Sequence, residues 1–221
     1  NNSPDTCKVK YVEVVGKRKL KQSWLNDQKE IINIISLGRL VKQKEYDTAL
    51  KSMVCLKEIL DNEVSFKYTI VGQGPDEDTI RTAIKSYGLE KEVELIVAPN
   101  DIYEMLLAAD IYLCSSSFEG VSNAIMEAMN CHLPIVATDA GDNARLVIHN
   151  TNGFIVDIDE SDKIAECLKE LVLSSSLRCK MGKKSFEHLR SEFSYEAFQA
   201  NYLKLIENID NFQIKDGYLA L

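Results

Sequence analysis

Between Ile31 and Val156 the chain switches six times between a short, nearly unbroken apolar run and a stretch of helical periodicity. The runs are Ile31–Ser36, Phe66–Val71, Val93–Val97, Ile111–Cys114, Pro134–Ala137 and Gly153–Val156. A strand with one wet face alternates apolar and polar residues, whereas a continuous apolar run suits a strand covered on both faces. Between the runs, Tyr46–Leu60 repeats Ala49, Met53, Leu56 and Leu60 at helical spacing. A second helix opens on Asp76, Glu77 and Asp78 and runs to Tyr87, where Gly88 supplies a C-terminal stop. Ile102–Ala109, the stretch after Gly120 and Asp142–Ile148 complete the series.

Strands that alternate with helices in this way stack as a parallel sheet between two helical layers. The sequence therefore predicts an α/β fold: a doubly wound, Rossmann-like parallel sheet of about six strands with helices on both faces. C-terminal helices follow at Ser161–Leu173, Leu177–Leu189 and Tyr195–Ile209, and the tail after Asn211 shows no clear period. Residues 1–30 are polar, with a helix-like patch at Val9–Val15 and a basic cluster at Lys17, Arg18, Lys19 and Lys21. They read as an interdomain linker left from a missing N-terminal domain. Residues 31–192 form the sheet domain, and 193–221 a C-terminal helix and tail. A net charge of −8 argues against a nucleic-acid sheath. No apolar run reaches membrane-spanning length, and the scattered cysteines read as reduced core thiols of a cytoplasmic protein.

Ligands of such sheets sit beyond the carboxyl ends of the strands. The loops at Gly38–Lys44, Gly72–Pro75, Ala98–Asp101 and Ser115–Gly120 all emerge there. The last of them leads from an apolar strand through a Ser/Gly turn into a helix, leaving outward backbone N–H groups suited to an anion. Glu119 stands at its mouth, and Glu127, eight positions on, about two turns in. Arg39 offers a planar fork to phosphate oxygens and Lys44 a compact charge. Taken alone they are ordinary surface residues; their place after the first strand, facing the glutamate element, makes them candidates. Phosphate-attracting groups flanked by carboxylates that accept from hydroxyls suit a sugar nucleotide.

Other features carry less. Gly72-Gln73-Gly74-Pro75 lacks the third glycine of a dinucleotide fingerprint and reads as a tight turn with close backbone approach. Asp157 and Asp159 read as a solvated helix start rather than a metal pair. His132, His149 and His188 have no mutual metal-binding or relay spacing. Cys114 and Cys131 have no evident base partner.

These residues resemble the C-terminal half of the retaining glycosyltransferases of the GT-B fold, the glycosyltransferase group 1 family. The likeness rests on Gly38-Arg39-Leu40 with Lys44, on Val71–Pro75, and on Ala109-Asp110-Ile111-Tyr112. It continues with Glu119-Gly120 through Glu127-Ala128-Met129, with Pro134–Asp139, and with Asn152-Gly153. The resemblance implies that Arg39 and Lys44 bind the donor diphosphate, that Glu119 accepts from hydroxyls of the transferred sugar, and that Glu127 holds the ribose. Gly38, Gly72 and Gly74 would line the donor cleft. The backbone of Gly120, Val121, Ser122 and Asn123 would support sugar and phosphate, and Val97, Ala98 and Pro99 would lie against the base. It implies a UDP-, GDP- or ADP-sugar donor, no cofactor, no metal, and transfer with retention of configuration in bacterial capsule, lipopolysaccharide or exopolysaccharide assembly. The acceptor, a sugar or lipid-linked glycan, would sit on the missing N-terminal domain. Peripheral association of the full-length enzyme with the inner face of the membrane is compatible with this.

The chain departs from the family pattern at three places. Glu45 replaces the glycine usual after the lysine, Ala98-Pro99-Asn100-Asp101 lacks a frequent glycine, and Arg145 stands near a position often acidic. Two other readings share the fold: a sugar-nucleotide 2-epimerase, for which no histidine is suitably placed, and a non-catalytic sugar-nucleotide-binding module.

Overall fold

β1 (Ile31–Leu37) pairs in parallel with two strands, one on each side, and the rest of the sheet grows outward from it. The computed structural model describes residues 31–61, 63–99, 101–207, 213–215 and 218–220. The expected linker, with its patch at Val9–Val15, lies outside the described residues. After β1 come α1 (Tyr46–Leu60), β2 (Ser65–Gly72), α2 (Glu77–Ser86), β3 (Val93–Val97), α3 (Ile102–Ala108) and β4 (Ile111–Cys114). Then follow α4 (Asn123–Asn130), β5 (Ile135–Thr138), α5 (Asn143–Leu146), β6 (Gly153–Val156), α6 (Ser161–Leu173), α7 (Ser175–Glu192) and α8 (Tyr195–Glu207).

The six strands are all parallel, in the order β3-β2-β1-β4-β5-β6. The chain winds outward from β1 to β3, then returns to place β4 on the other side of β1. The winding reverses between β1 and β4, and the carboxyl ends of strands at such a reversal are where sheets of this kind take their ligands.

Side chains alternate between two cores, as strand geometry demands. Ile32, Ile34, Tyr68, Ile70, Ile111, Leu113 and Val136 face α1, α2 and α6. Ile35, Leu37, Tyr112, Cys114, Ile135 and Ala137 face α3, α4 and α5. Helices thus cover both faces, and the strands read as continuous apolar runs because both sides are buried.

Three sequence expectations need correction. α7 begins at Ser175, before the expected Leu177, because the Ser174 hydroxyl caps it by accepting from the Leu177 N–H at 3.2 Å. The tail after Asn211 carries two strands, β7 (Gln213–Lys215) and β8 (Tyr218–Ala220), paired antiparallel. Three-residue strands are too short to print a period of two. Glu127 is the fifth residue of α4, so it lies about one turn in rather than two, because Gly120–Ser122 remain loop.

Candidate functional site

The loop after β1 is shaped by one residue in an unusual conformation. Lys42–Lys44 make a single 3-10 turn, and Glu45 then adopts φ 47° and ψ 47° before α1 starts. This left-handed geometry favours glycine, which explains the glycine usual at this place. Here glutamate takes it, and its side chain turns to the β4 loop, where Ser117 Oγ donates to Glu45 Oε1 at 3.1 Å. The same two loops are joined by Ser117 N–H to the Gln43 carbonyl at 2.9 Å and Ser115 Oγ to the Lys44 carbonyl at 2.8 Å.

Lys44 and Glu119 close the seam. Lys44 Nζ stands 2.5 Å from Glu119 Oε1, with the two side chains only 15% and 9% exposed. Oε1 also accepts from Ser116 Oγ at 2.7 Å and takes a long contact of 3.9 Å from Cys114 Sγ. No described residue donates to Oε2, so the carboxylate keeps one oxygen uncommitted. Burial holds the Cys114 thiol above its usual range, so it remains a neutral neighbour.

Two further loops brace this seam. Gly38 N–H donates to the Val71 carbonyl at 3.0 Å and Leu40 N–H to the Gln73 carbonyl at 2.9 Å. A methyl on Gly72 would stand 1.8 Å from the Gly38 oxygen, and one on Gly74 2.3 Å from the Leu40 oxygen. These glycines exist because the β2 loop backs directly onto the β1 loop. On the other side, Thr138 Oγ1 donates to the Ser116 carbonyl at 2.5 Å and Asn143 Nδ2 to the Thr138 carbonyl at 3.0 Å. Gly141, at φ 57°, presses its backbone against the Glu119 carbonyl, 1.9 Å from where a methyl would be.

Arg39 is exposed at the head of the β1 loop and makes no ion pair among the described residues. Gly120 faces open space, since nothing lies within 4 Å of a methyl built on it. Val121 and Asn123 are exposed. Ser122 caps α4, accepting from the Ile125 N–H at 3.4 Å. The N–H groups of Gly120, Val121, Ser122 and Asn123 donate to no described carbonyl or side chain. Glu127 is exposed on α4, while Ile125, Ala128 and Met129 anchor that helix in the core.

The structure thus gathers Gly38, Lys44, Glu119 and the Gly120–Asn123 amides around the β1/β4 reversal. Val97 ends β3, two strands away from β1, and Ala98 and Pro99 follow it, with Ala98 held at φ 48°. Sequence reasoning did not single out Gln43, Thr138 or Asn143 as supports. Thr138 at the end of β5 and Asn143 at the start of α5 carry a signal as buried polar side chains, whereas Gln43 acts through its backbone carbonyl and leaves none.

The remaining sequence candidates fall elsewhere. Asp157 and Asp159 are exposed before α6. No cluster of His, Cys, Asp and Glu suited to a metal occurs among the described residues. His132 stacks on Phe186, His149 Nδ1 accepts from the Ile155 N–H, and His188 bonds the Arg145 carbonyl. Arg145 is exposed and 3.6 Å from Asp142. No described helix is long and apolar enough to cross a membrane. A cavity of about 190 Å³ lies at the amino-terminal end of the central strands, lined by residues such as Ile32, Val64, Val172 and Leu173. It is remote from all these groups.

A parallel α/β sheet whose charged loops meet at its winding reversal defines a class of ligand-binding domain. The profile of the family "Glycosyl transferases group 1" matches residues 16–188, and the chain belongs to that family. The chain is 26% identical over 173 residues to the lipopolysaccharide core biosynthesis glycosyltransferase LpsE of Rhizobium meliloti, covering 78% of this chain and 49% of LpsE. It is 29% identical over 181 residues to a 4-alpha-N-acetylgalactosaminyltransferase of Campylobacter jejuni, whose substrate is named as a diphospho-undecaprenol; the match covers 80% of this chain and 47% of that enzyme. The chain therefore spans about half the length of these relatives. Among solved structures, TarM of S. aureus, a mutant in complex with fondaparinux, alpha-GlcNAc-glycerol and UDP, matches with a TM-score of 0.72. The identity is 25%, over 81% of this chain and 37% of TarM. The C-terminal domain of the group 1 protein LpcC of Francisella tularensis shares the fold, with a TM-score of 0.66 at 24% identity. That match covers 74% of this chain and 87% of the LpcC domain.

Proposed function

We propose that this chain is the donor-binding half of a retaining glycosyltransferase that moves a sugar from a nucleotide sugar to an acceptor in bacterial surface polysaccharide assembly. The observation that carries the reading is the Lys44–Glu119 pair at the β1/β4 reversal, bordered by unspent amides from Gly120 to Asn123. LpsE is named for lipopolysaccharide core biosynthesis, and TarM was solved with UDP, which supports the same reading.

In this reading Arg39 and Lys44 receive the diphosphate and Glu127 the ribose hydroxyls. The free Oε2 of Glu119 accepts from a sugar hydroxyl. Val97, Ala98 and Pro99 border the base. As the bond from the anomeric carbon to the phosphate oxygen breaks, positive charge grows on the sugar ring and negative charge on the departing diphosphate. The acceptor hydroxyl forms the new bond on the same face and loses its proton. Cations and amides fixed around the leaving group stabilise that charge more than they stabilise the ground state. Lys44 also offsets the Glu119 carboxylate, which would otherwise repel the incoming diphosphate. Retention of configuration, metal independence and an acceptor held by a second domain belong to the same proposal.

The test is thermal stabilisation by a panel of UDP-, GDP- and ADP-sugars, followed by transfer assays on the full-length protein with anomeric analysis of the product. The proposal expects one nucleotide class to raise the melting temperature and the product to keep the donor's configuration. An inverted product, or stabilisation by none of them, overturns it. Epimerised free donor would favour the epimerase reading instead.

A further inference from the structure

Three tyrosine side chains end beneath the β1/β4 reversal, and two of them are fully accounted for. Tyr68 OH shares a 2.9 Å hydrogen bond with Ser36 Oγ, and Tyr112 OH donates to the Leu37 carbonyl at 3.2 Å. Tyr46, the first residue of α1, is only 6% exposed, yet no described residue makes a hydrogen bond with its hydroxyl. Its oxygen lies beside the loop that carries Lys44: a methyl built on Gly38 would stand 3.2 Å from Tyr46 OH and 3.1 Å from Lys44 Cε. Tyr46 and Lys44 also line one small void of about 10 Å³ with Ser115 and Ser116 at the ends of β1 and β4.

The hydroxyl is not among the sealed, unsatisfied polar atoms of the described residues, which are Glu92 Oε2 and Asn143 Oδ1, so its oxygen keeps access to the surface at this point. The group is therefore placed where a partner arrives from outside the chain. Burial first, then its Cys114 and Glu119 neighbours, push its ionisation far above the ordinary phenol value, so it stays a neutral O–H donor. The space it meets is bounded by an ammonium and by the bare Cα of Gly38. An acceptor that satisfies both an ammonium and an O–H donor carries several lone pairs and a negative charge, which phosphate oxygens supply.

We infer that the Tyr46 hydroxyl is a further donor-binding group that donates to a diphosphate oxygen held by Lys44. This rests on the proposed nucleotide-sugar site and adds to it a residue that lies in the core rather than in the loop. The test is titration calorimetry of the chain and its Tyr46→Phe variant with UDP, GDP, inorganic pyrophosphate and uridine, with melting temperatures recorded without ligand. Tyr46→Phe is expected to weaken pyrophosphate and the preferred nucleoside diphosphate about tenfold, the scale of one lost hydrogen bond to a charged group. Uridine affinity and the unliganded melting temperature are expected to hold. Unchanged pyrophosphate and nucleotide affinity overturns the inference while leaving the proposed function standing. A lowered melting temperature with unchanged affinity overturns it too, by assigning the hydroxyl to the fold. Wild-type chain that binds neither nucleotide nor pyrophosphate removes both readings together.

Discussion

Lys44 Nζ and Glu119 Oε1, 75 positions apart in the chain, meet at 2.5 Å across the seam between the β1 and β4 loops. Both side chains are largely withdrawn from water, so loss of one leaves the other as an uncompensated charge. Lys44→Ala or Glu119→Ala alone should each cost about 3 kcal/mol of stability, at the low end for a broken buried pair because some solvent access remains. The double variant should cost less than the sum. Urea unfolding of the four proteins measures this directly, and strict additivity would show that the pair is not coupled.

Arg39 and Glu127 present the opposite case, since both are exposed and neither makes an ion pair among the described residues. Arg39→Ala and Glu127→Ala should each change stability by less than about 0.5 kcal/mol. Each should weaken nucleoside diphosphate binding by about 1–3 kcal/mol in calorimetry. Unchanged UDP and GDP affinity for Glu127→Ala would remove its ribose assignment.

Gly141 and Glu45 both sit at positive φ, with different consequences. Gly141→Ala adds a methyl that meets the Glu119 carbonyl, so it should cost about 2–4 kcal/mol and weaken nucleotide binding by shifting Glu119. Glu45→Gly relieves left-handed strain but frees the unfolded chain, so stability should stay within about 0.5 kcal/mol. Because it removes a carboxylate from the β1 loop, nucleotide affinity should rise. Chemical denaturation and calorimetry on the two variants read both effects.

Cys167 gives a pH prediction. Burial, and then Glu170 and Glu166, push its thiol up to about 11 from an ordinary value of 9.0. The folded pKa is raised, so the contribution to stability is complete below pH 9 and is lost as pH rises toward 11. Alkylation of Cys167 by iodoacetamide, located by peptide mass spectrometry, should accelerate about tenfold per pH unit between pH 8 and pH 10. A plateau near pH 9 would show an unshifted thiol.

The strands were legible because burial on both faces leaves runs such as Ile111–Cys114 and Ile135–Thr138 almost free of polar residues. The bounds of Tyr46–Leu60 and Ser161–Leu173 were equally plain from their apolar repeat. What local pattern could not show was cross-loop contact. The spacing of Glu119 and Glu127 says nothing of the bond from Lys44, because strand order, not sequence distance, sets β1 beside β4. The Gly72 and Gly74 turn hinted at close backbone approach, and only the fold reveals that the approaching backbone is that of Gly38 and Leu40. Tyr46 reads as one more apolar helical residue, and its unspent hydroxyl is visible only once its surroundings are known.

The crowding of donors onto one oxygen of Glu119 has a stereochemical consequence. With Oε1 engaged by Lys44 and Ser116, a visitor meets the carboxylate through Oε2. A chelating grip on two adjacent hydroxyls needs both oxygens and is thereby denied. In a sugar site, such an acid contacts the ring through one oxygen alone, and an epimer that turns the facing hydroxyl away from that oxygen forfeits the bond.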